Sequence, residues 1–214
     1  MTSQGELFMV EWAIRDTLLR IVEPTPVEVR AHASTLANYY NEPDNRALMT
    51  NQHDFSAEDV ALQFAEMRAA GGRPFLLFEG ETFLGDCDLR HVEPHKAEFA
   101  IMVGARAEQG KGKGTLFSVM LLALAFGRLG LKRIYASVRP QNVGSLRMLK
   151  KVGYTFDESP EARRYAEEHD DMCLSVDAHA VATGGASRLA TESIRVAVRE
   201  TGSSSGGRLE REPR

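Results

Sequence analysis

One stretch narrows the folds open to this chain more than any other. Residues 97 to 115 read AEFAIMVGARAEQGKGKGT: an apolar run, a short break, then a glycine-lysine loop that opens onto a long apolar stretch from Leu116 to Leu129. Strand, loop and helix follow in that order. Gly110, Gly112 and Gly114 let several backbone N–H groups converge at the helix N-terminus, where unpaired amides and the helix dipole favour an anion. Lys111 and Lys113 reinforce that preference. Two kinds of nucleotide site do not fit. An NTPase phosphate loop needs Ser or Thr after its lysine, whereas Lys111 and Lys113 are each followed by glycine. A dinucleotide fingerprint spaces its glycines Gly-x-Gly-x-x-Gly, whereas these alternate strictly, and the next strand carries Lys132 and Arg133 where a ribose-binding acid is wanted. A flexible surface turn is the remaining alternative for the loop taken alone.

The flanking sequence supplies the context. Thr17 to Pro24 reads as a strand ended by proline, and Val27 to Tyr40 as a helix. NEPDNRALMTNQHD is turn-rich. Ser56, with Asp59 three residues on, opens a helix through Met67 that stops at Gly71-Gly72. FLLFEG, TFLGDCDLRHV and KAEFAIMVG are three strand-like runs forming an antiparallel meander. After the loop and its helix, RIYASVRP is a strand that a right-handed crossover makes parallel to the strand before the loop. Asn142 can cap the helix VGSLRMLKK, Gly153 closes it, and YTFDE and DMCLSVD supply two last strands. This order suggests a mixed α/β (α+β) fold with a mostly antiparallel sheet.

Gln109-Gly110-Lys111-Gly112-Lys113-Gly114 resembles Gln/Arg-x-x-Gly-x-Gly/Ala, the pyrophosphate-loop signature of the GNAT superfamily of acetyl-CoA-dependent N-acetyltransferases. RPQNVGSLRMLKKVGYTF is similar to the family's second signature stretch, Asn-x-x-Ser/Ala followed by an apolar helix and Gly-Phe/Tyr, and it places Asn142, Ser145, Gly153 and Tyr154. The resemblance covers residues 15 to 177 and implies a sheet splayed at its centre, with about four helices around it and acetyl-CoA between the parted strands. Many members carry a tyrosine seven residues after the asparagine as proton donor to the CoA thiolate; here that position is Leu149. The helix, YYNEPDNRALMT and FSAEDVALQF instead resemble the RimJ/RimL-like branch, in which the helix serine, Ser145 here, can take the proton-donor position.

The resemblance implies direct transfer of an acetyl group to a primary amine, either a small molecule or a protein N-terminus, without a covalent enzyme intermediate. Met102 and Val103 become the backbone partners of the pantetheine and the thioester carbonyl. Gln109, Gly110, Lys111, Gly112, Lys113, Gly114 and Thr115 hold the pyrophosphate, and Asn142 completes the cofactor site. Glu98 is the first candidate base, because strand alternation turns it away from Ala97 and Phe99; an exposed strand carboxylate is the alternative. Asp86 and Asp88 could form an acidic wall for a cationic substrate, and Glu158 and Glu161 lie where that branch often places an acid. Tyr39, with Tyr40 and Trp12, is a candidate for the acceptor side, core packing being the other use. A non-catalytic acyl-CoA-binding sensor and a nucleotide-binding module are the rival readings.

No metal is expected: His91 and His95 bracket HVEPH, but Pro94 forbids the helix that would align them. Met120 and Met148 read as core. The formal charge of -4 argues against nucleic-acid binding. Cys87 and Cys173 lie far apart without metal-like spacing, no apolar run reaches membrane-spanning length, and the N-terminus lacks a signal-peptide pattern. A cytoplasmic protein without membrane association is the expectation, with a homodimer left open. The chain divides into a domain over 1–177 and a Gly/Ser/Arg-rich tail over 178–214, expected to be largely disordered, in which SIRVAV could add an edge strand or dock on a partner.

Overall fold

The computed structural model describes residues 6–49, 53–185 and 193–199. Strands β1 (Leu7–Ile14) and β2 (Thr17–Val22) precede helices α1 (Pro26–Asn41), α2 (Pro43–Leu48) and α3 (Ala57–Ala69). A meander of β3 (Arg73–Glu79), β4 (Thr82–Glu93) and β5 (Lys96–Val103) leads through the glycine loop to α4 (Lys113–Gly127). Then come β6 (Arg133–Val138), α5 (Val143–Val152), β7 (Thr155–Phe156), α6 (Pro160–Arg163), β8 (Met172–Val176), α7 (Ala178–Thr183) and β9 (Ile194–Arg199). The strands form one sheet, ordered β7-β8-β6-β5-β4-β3-β2-β1-β9, in which β5 and β6 pair in parallel and the other neighbours antiparallel. This is the mixed, mostly antiparallel sheet expected from the sequence.

Local chemistry sets the helix starts. The Thr25 hydroxyl accepts the Glu28 N–H while the Glu28 carboxylate accepts the Thr25 N–H at 2.7 Å, and Ser56 with Asp59 repeats the reciprocal cap on α3. Helix α2 lies inside the segment read as turns. Its six residues are too few to show a period, but Glu42 caps it by accepting the Asp44 and Asn45 N–H groups, and Pro43 stands at its start. Strand β1 was not anticipated either, although Phe8, Val10 and Trp12 alternate inward along it.

The sheet buries both faces. One carries Phe8, Val10, Leu19, Ile21, Phe75, Leu77, Leu89, Phe99, Ile134 and Leu174 under α4 and α5. Helix α4 is apolar around most of its circumference, with Phe117, Met120, Leu121, Leu122, Leu124 and Ala125 fully buried, as a helix covered on all sides must be. Trp12 belongs to this core, so core packing is its use. On the opposite face α1 and α3 set Val29, Leu36, Tyr40, Val60 and Phe64 against Leu76.

The piece SIRVAV contributes an edge strand: β9 pairs with β1 from Trp12↔Ile194 to Leu7↔Arg199. The Trp12 indole N–H donates to the Ser193 hydroxyl at 2.9 Å, and Arg199 forks onto the Glu28 carboxylate at 2.5 and 3.0 Å. Helix α7, also beyond residue 177, packs so closely on the end of α5 that a Cβ at Gly153 would lie 2.6 Å from the Ala180 carbonyl oxygen. The rest of the tail, where disorder was expected, is 186–192 and 200–214, outside the described residues.

Candidate active site

Strands β5 and β6 begin as neighbours and then part. They pair only at Lys96↔Arg133, Ala97↔Ile134 and Glu98↔Tyr135. Beyond Glu98, β5 continues to Val103 along β4, and β6 continues to Val138 along β8. The result is a wedge with the Glu98–Tyr135 pair at its floor and Val103 and Val138 at its lips. Gly85 fixes the near side: its φ is +148°, and a Cβ there would fall 2.1 Å from the Met102 carbonyl oxygen, so only glycine lets β4 approach β5 this closely. The neighbouring Leu84 carbonyl accepts the Gly104 and Ala105 N–H groups at 2.8 and 3.2 Å and turns the chain out of the sheet into the loop.

The loop makes a short turn at Arg106–Glu108, then places Gly110 and Gly112 in left-handed backbone with φ of +74° and +82° before α4 begins. Among the described residues, no acceptor meets the N–H groups of Gly110, Lys111, Gly112, Lys113 and Gly114. Gln109 and Thr115 differ: their amides donate to Arg106 and Gly112 carbonyls. The Gln109 side chain braces the loop, donating to Asn45 Oδ1 at 2.8 Å and to the Val103 carbonyl at 2.9 Å, while Asn45 donates onward to the Tyr39 carbonyl at 2.9 Å. Lys111 pairs with Glu108 at 3.0 Å and Lys113 with Glu79. Five open amides and two lysines at a helix N-terminus fit a dianionic pyrophosphate.

Helix α5 closes the other lip. Asn142 caps it, its Oδ1 accepting the Ser145 N–H at 3.0 Å, which leaves the Asn142 side-chain N–H groups for another acceptor. One turn beyond Ser145, Met148 Sδ lies 3.2 Å from the Ser118 hydroxyl, and Met148 Cγ would sit 3.6 Å from a Cβ at Gly114. The start of α4 is therefore in contact with the second turn of α5, and Ser145 shares the Met148 face. Leu149 is buried in the main core, away from any role in proton transfer.

The face toward α1 carries the charge. Asp86, Asp88 and Arg90 of β4 stand opposite Met102, Ala100 and Glu98 of β5. The expected acidic wall divides in two: buried Asp88 is held by the Arg90 guanidinium with contacts of 2.8 and 2.7 Å, whereas among the described residues no cation pairs with Asp86. The Tyr40 hydroxyl donates to Asp86 Oδ2 at 2.8 Å, and among the described residues buried Oδ1 has no partner. Burial pushes the Asp86 carboxyl up to about 7 against the opposing pull of the Tyr40 bond. Glu98 is buried as well and lies 2.8 Å from His91 Nδ1; burial raises its carboxyl while Arg90 and His91 pull it back. Tyr39 covers the exit of β5, since a Cβ at Gly104 would lie 2.3 Å from its ring, and it stacks on Phe83 at 5.9 Å. Glu158 pairs with Arg163 and Glu161 with Lys96 beside α6. His91 and His95 sit in left-handed backbone at the β4–β5 hairpin, and among the described residues no three His, Cys, Asp or Glu side chains group to hold a metal. Sequence reasoning did not reach Asn45, which has no local signature, or Arg90, which strand alternation from Asp88 could have found.

A family model described as an acetyltransferase (GNAT) domain matches residues 25–155, and the chain belongs to this GNAT acetyltransferase family. It is an acyltransferase. Among solved structures, it is similar to Mycobacterium smegmatis RimJ in complex with CoA-disulfide, with a TM-score of 0.68 and 19% identity over 87% of this chain and 95% of that one. A spermidine N-acetyltransferase from Vibrio cholerae, in complex with CoA and spermine, matches with a TM-score of 0.63 and 17% identity over 78% and 99% of the two chains. The aminoglycoside acetyltransferase AAC(6')-Ib, in complex with ribostamycin and coenzyme A, matches at 0.62 and 14% over 78% and 96%. At these identities the likeness is one of fold.

Proposed function

We propose that the protein is an N-acetyltransferase of the RimJ/RimL-like branch, moving the acetyl group of acetyl-CoA to a primary amine of a small molecule or a protein N-terminus. The observation that carries this reading is the row of five amides, Gly110 to Gly114, that meet no acceptor among the described residues, in a loop that follows β5 where it has parted from β6. Those amides, with Lys111 and Lys113, take the pyrophosphate, while Gln109 and Thr115 hold the loop in shape. The Met102 and Val103 backbone and the Asn142 side chain line the pantetheine arm. Ser145 donates a hydrogen bond to the departing thiolate in place of the tyrosine that Leu149 displaces. The amine attacks the thioester directly, and the enzyme forms no covalent intermediate. Tyr39 and Phe83 line the acceptor side. The similar structures hold spermine in one case and ribostamycin in the other, in keeping with an amine acceptor.

Residues 1–177 are read as the catalytic domain and 178–214 as its tail. Among the described residues no helix is long and apolar enough to cross a membrane. A second reading, a non-catalytic acyl-CoA sensor, is favoured by the burial of Leu149 where a tyrosine would donate. Acetyl transfer to a panel of amines separates the two: N-acetylated product supports the enzyme, and tight acetyl-CoA binding without product supports the sensor. Ser145→Ala should slow transfer about tenfold or more; an unchanged rate removes Ser145 from the mechanism.

A further inference from the structure

Three carboxylates lie buried on the α1 face of β4 and β5, and their surroundings differ. Asp88 is engaged on both oxygens by Arg90. Glu98 is bonded to His91 at the floor of the wedge, four residues from Met102 along β5, or about 13 Å at the usual rise of a strand. Asp86 stands directly across from Met102, where cross-strand Cβ atoms are about 5 Å apart. One of its oxygens is fixed by Tyr40, and the other is buried with no donor from another residue among the described residues. Such an atom lacks only an N–H to complete it.

We propose that Asp86 is the base that takes the proton from the acceptor amine, and that Tyr40 positions it. This rests on the N-acetyltransferase reading and on Met102 marking the position of the thioester. Asp86 accepts one proton from the acceptor ammonium and returns it to solvent. The freed lone pair forms the N–C bond, the C–S bond breaks with its electrons on sulfur, and the second proton lost by nitrogen ends on that thiolate, giving amide and thiol. A carboxyl near 7 suits the exchange at neutral pH. The groups facing it are Tyr40 from α1 and Asp88 and Arg90 from β4, while its partners on β5 and β3, Met102 and Leu76, are apolar. Tyr40 is a positioning residue: its hydrogen bond favours the ionised form, so losing it raises the carboxyl further.

The test compares Asp86→Asn, Tyr40→Phe and Glu98→Gln with the natural chain, using spermidine, ribostamycin and a peptide N-terminus as acceptors from pH 5.5 to 9. The expected kcat/KM rises through about pH 7. Asp86→Asn should lose on the order of 100-fold or more, with its acetyl-CoA thermal shift intact. Tyr40→Phe should move the acidic limb to higher pH and recover at high pH, and Glu98→Gln should leave the limb in place. A ¹³C NMR titration of the ligand-free protein gives an activity-independent check, in which the Asp86 carboxyl titrates near 7 and higher in Tyr40→Phe. This check also decides the matter if Asp86→Asn does not fold. Asp86→Asn within threefold of the natural rate, or an Asp86 that titrates in the ordinary carboxylate range, overturns the base assignment alone. A natural chain that neither binds acetyl-CoA nor acetylates an amine overturns the underlying activity, and the base with it.

Discussion

Strand β5 separates two unlike regions. Toward α4, Ala97, Phe99 and Ile101 meet a packed apolar helix; toward α1, Glu98, Ala100 and Met102 meet a row of charged side chains on β4. The same eight residues thus serve stability on one side and chemistry on the other, because successive side chains of a strand point opposite ways. The α4 side consists of groups content to be buried, and the α1 side holds carboxyls whose burial needs partners, one of which is incomplete.

The contrast breaks most sharply on the apolar side. Phe117→Ala, at a fully buried position, should cost about 3–5 kcal/mol in chemical denaturation while a folded remainder keeps its acetyl-CoA affinity. On the charged side the sign reverses. The folded Asp86 carboxyl, at about 7, stands above its unfolded value near 4, so the folded state holds extra proton between those values. Stability should fall as pH rises from about 4 to about 7 and stay low above it. Asp86→Asn removes that dependence, so thermal melts should find it more stable than the natural chain at pH 8, by on the order of a few kcal/mol, with the two converging near pH 4. A variant that loses activity while gaining stability would be hard to reconcile with a purely structural Asp86.

Smaller effects test the loop. Gly112→Ala meets no neighbour but must hold φ of +82°, a strain of about 1 kcal/mol, so acetyl-CoA affinity measured by calorimetry should drop about fivefold. Lys111→Ala removes an exposed lysine paired with Glu108; it should weaken binding about threefold at low salt and less at high salt.

The sequence carried the loop, the meander and the capped helices because each has a local signal: alternating glycines, alternating apolar residues, or a hydroxyl three residues before an acid. The parting of β5 and β6 came from family resemblance, since nothing in either strand alone says where pairing stops. Helix α2 was too short for a period, and α7 and β9 sit in low-complexity surroundings where only the partners, Gly153 and β1, give them a place. Asp86 could be put on the right face by alternation, but its hydrogen bond from Tyr40 joins residues 46 apart in the chain and becomes visible only when α1 lies across β4.

The central claim, that the loop before α4 holds the pyrophosphate of an acetyl-CoA used for transfer, is tested most directly by melting the full chain with saturating acetyl-CoA, ATP or NAD. Acetyl-CoA should raise the melting temperature by about 5 to 10 °C, and the other two should do markedly less. No rise with acetyl-CoA, or an equal rise with all three, would contradict it.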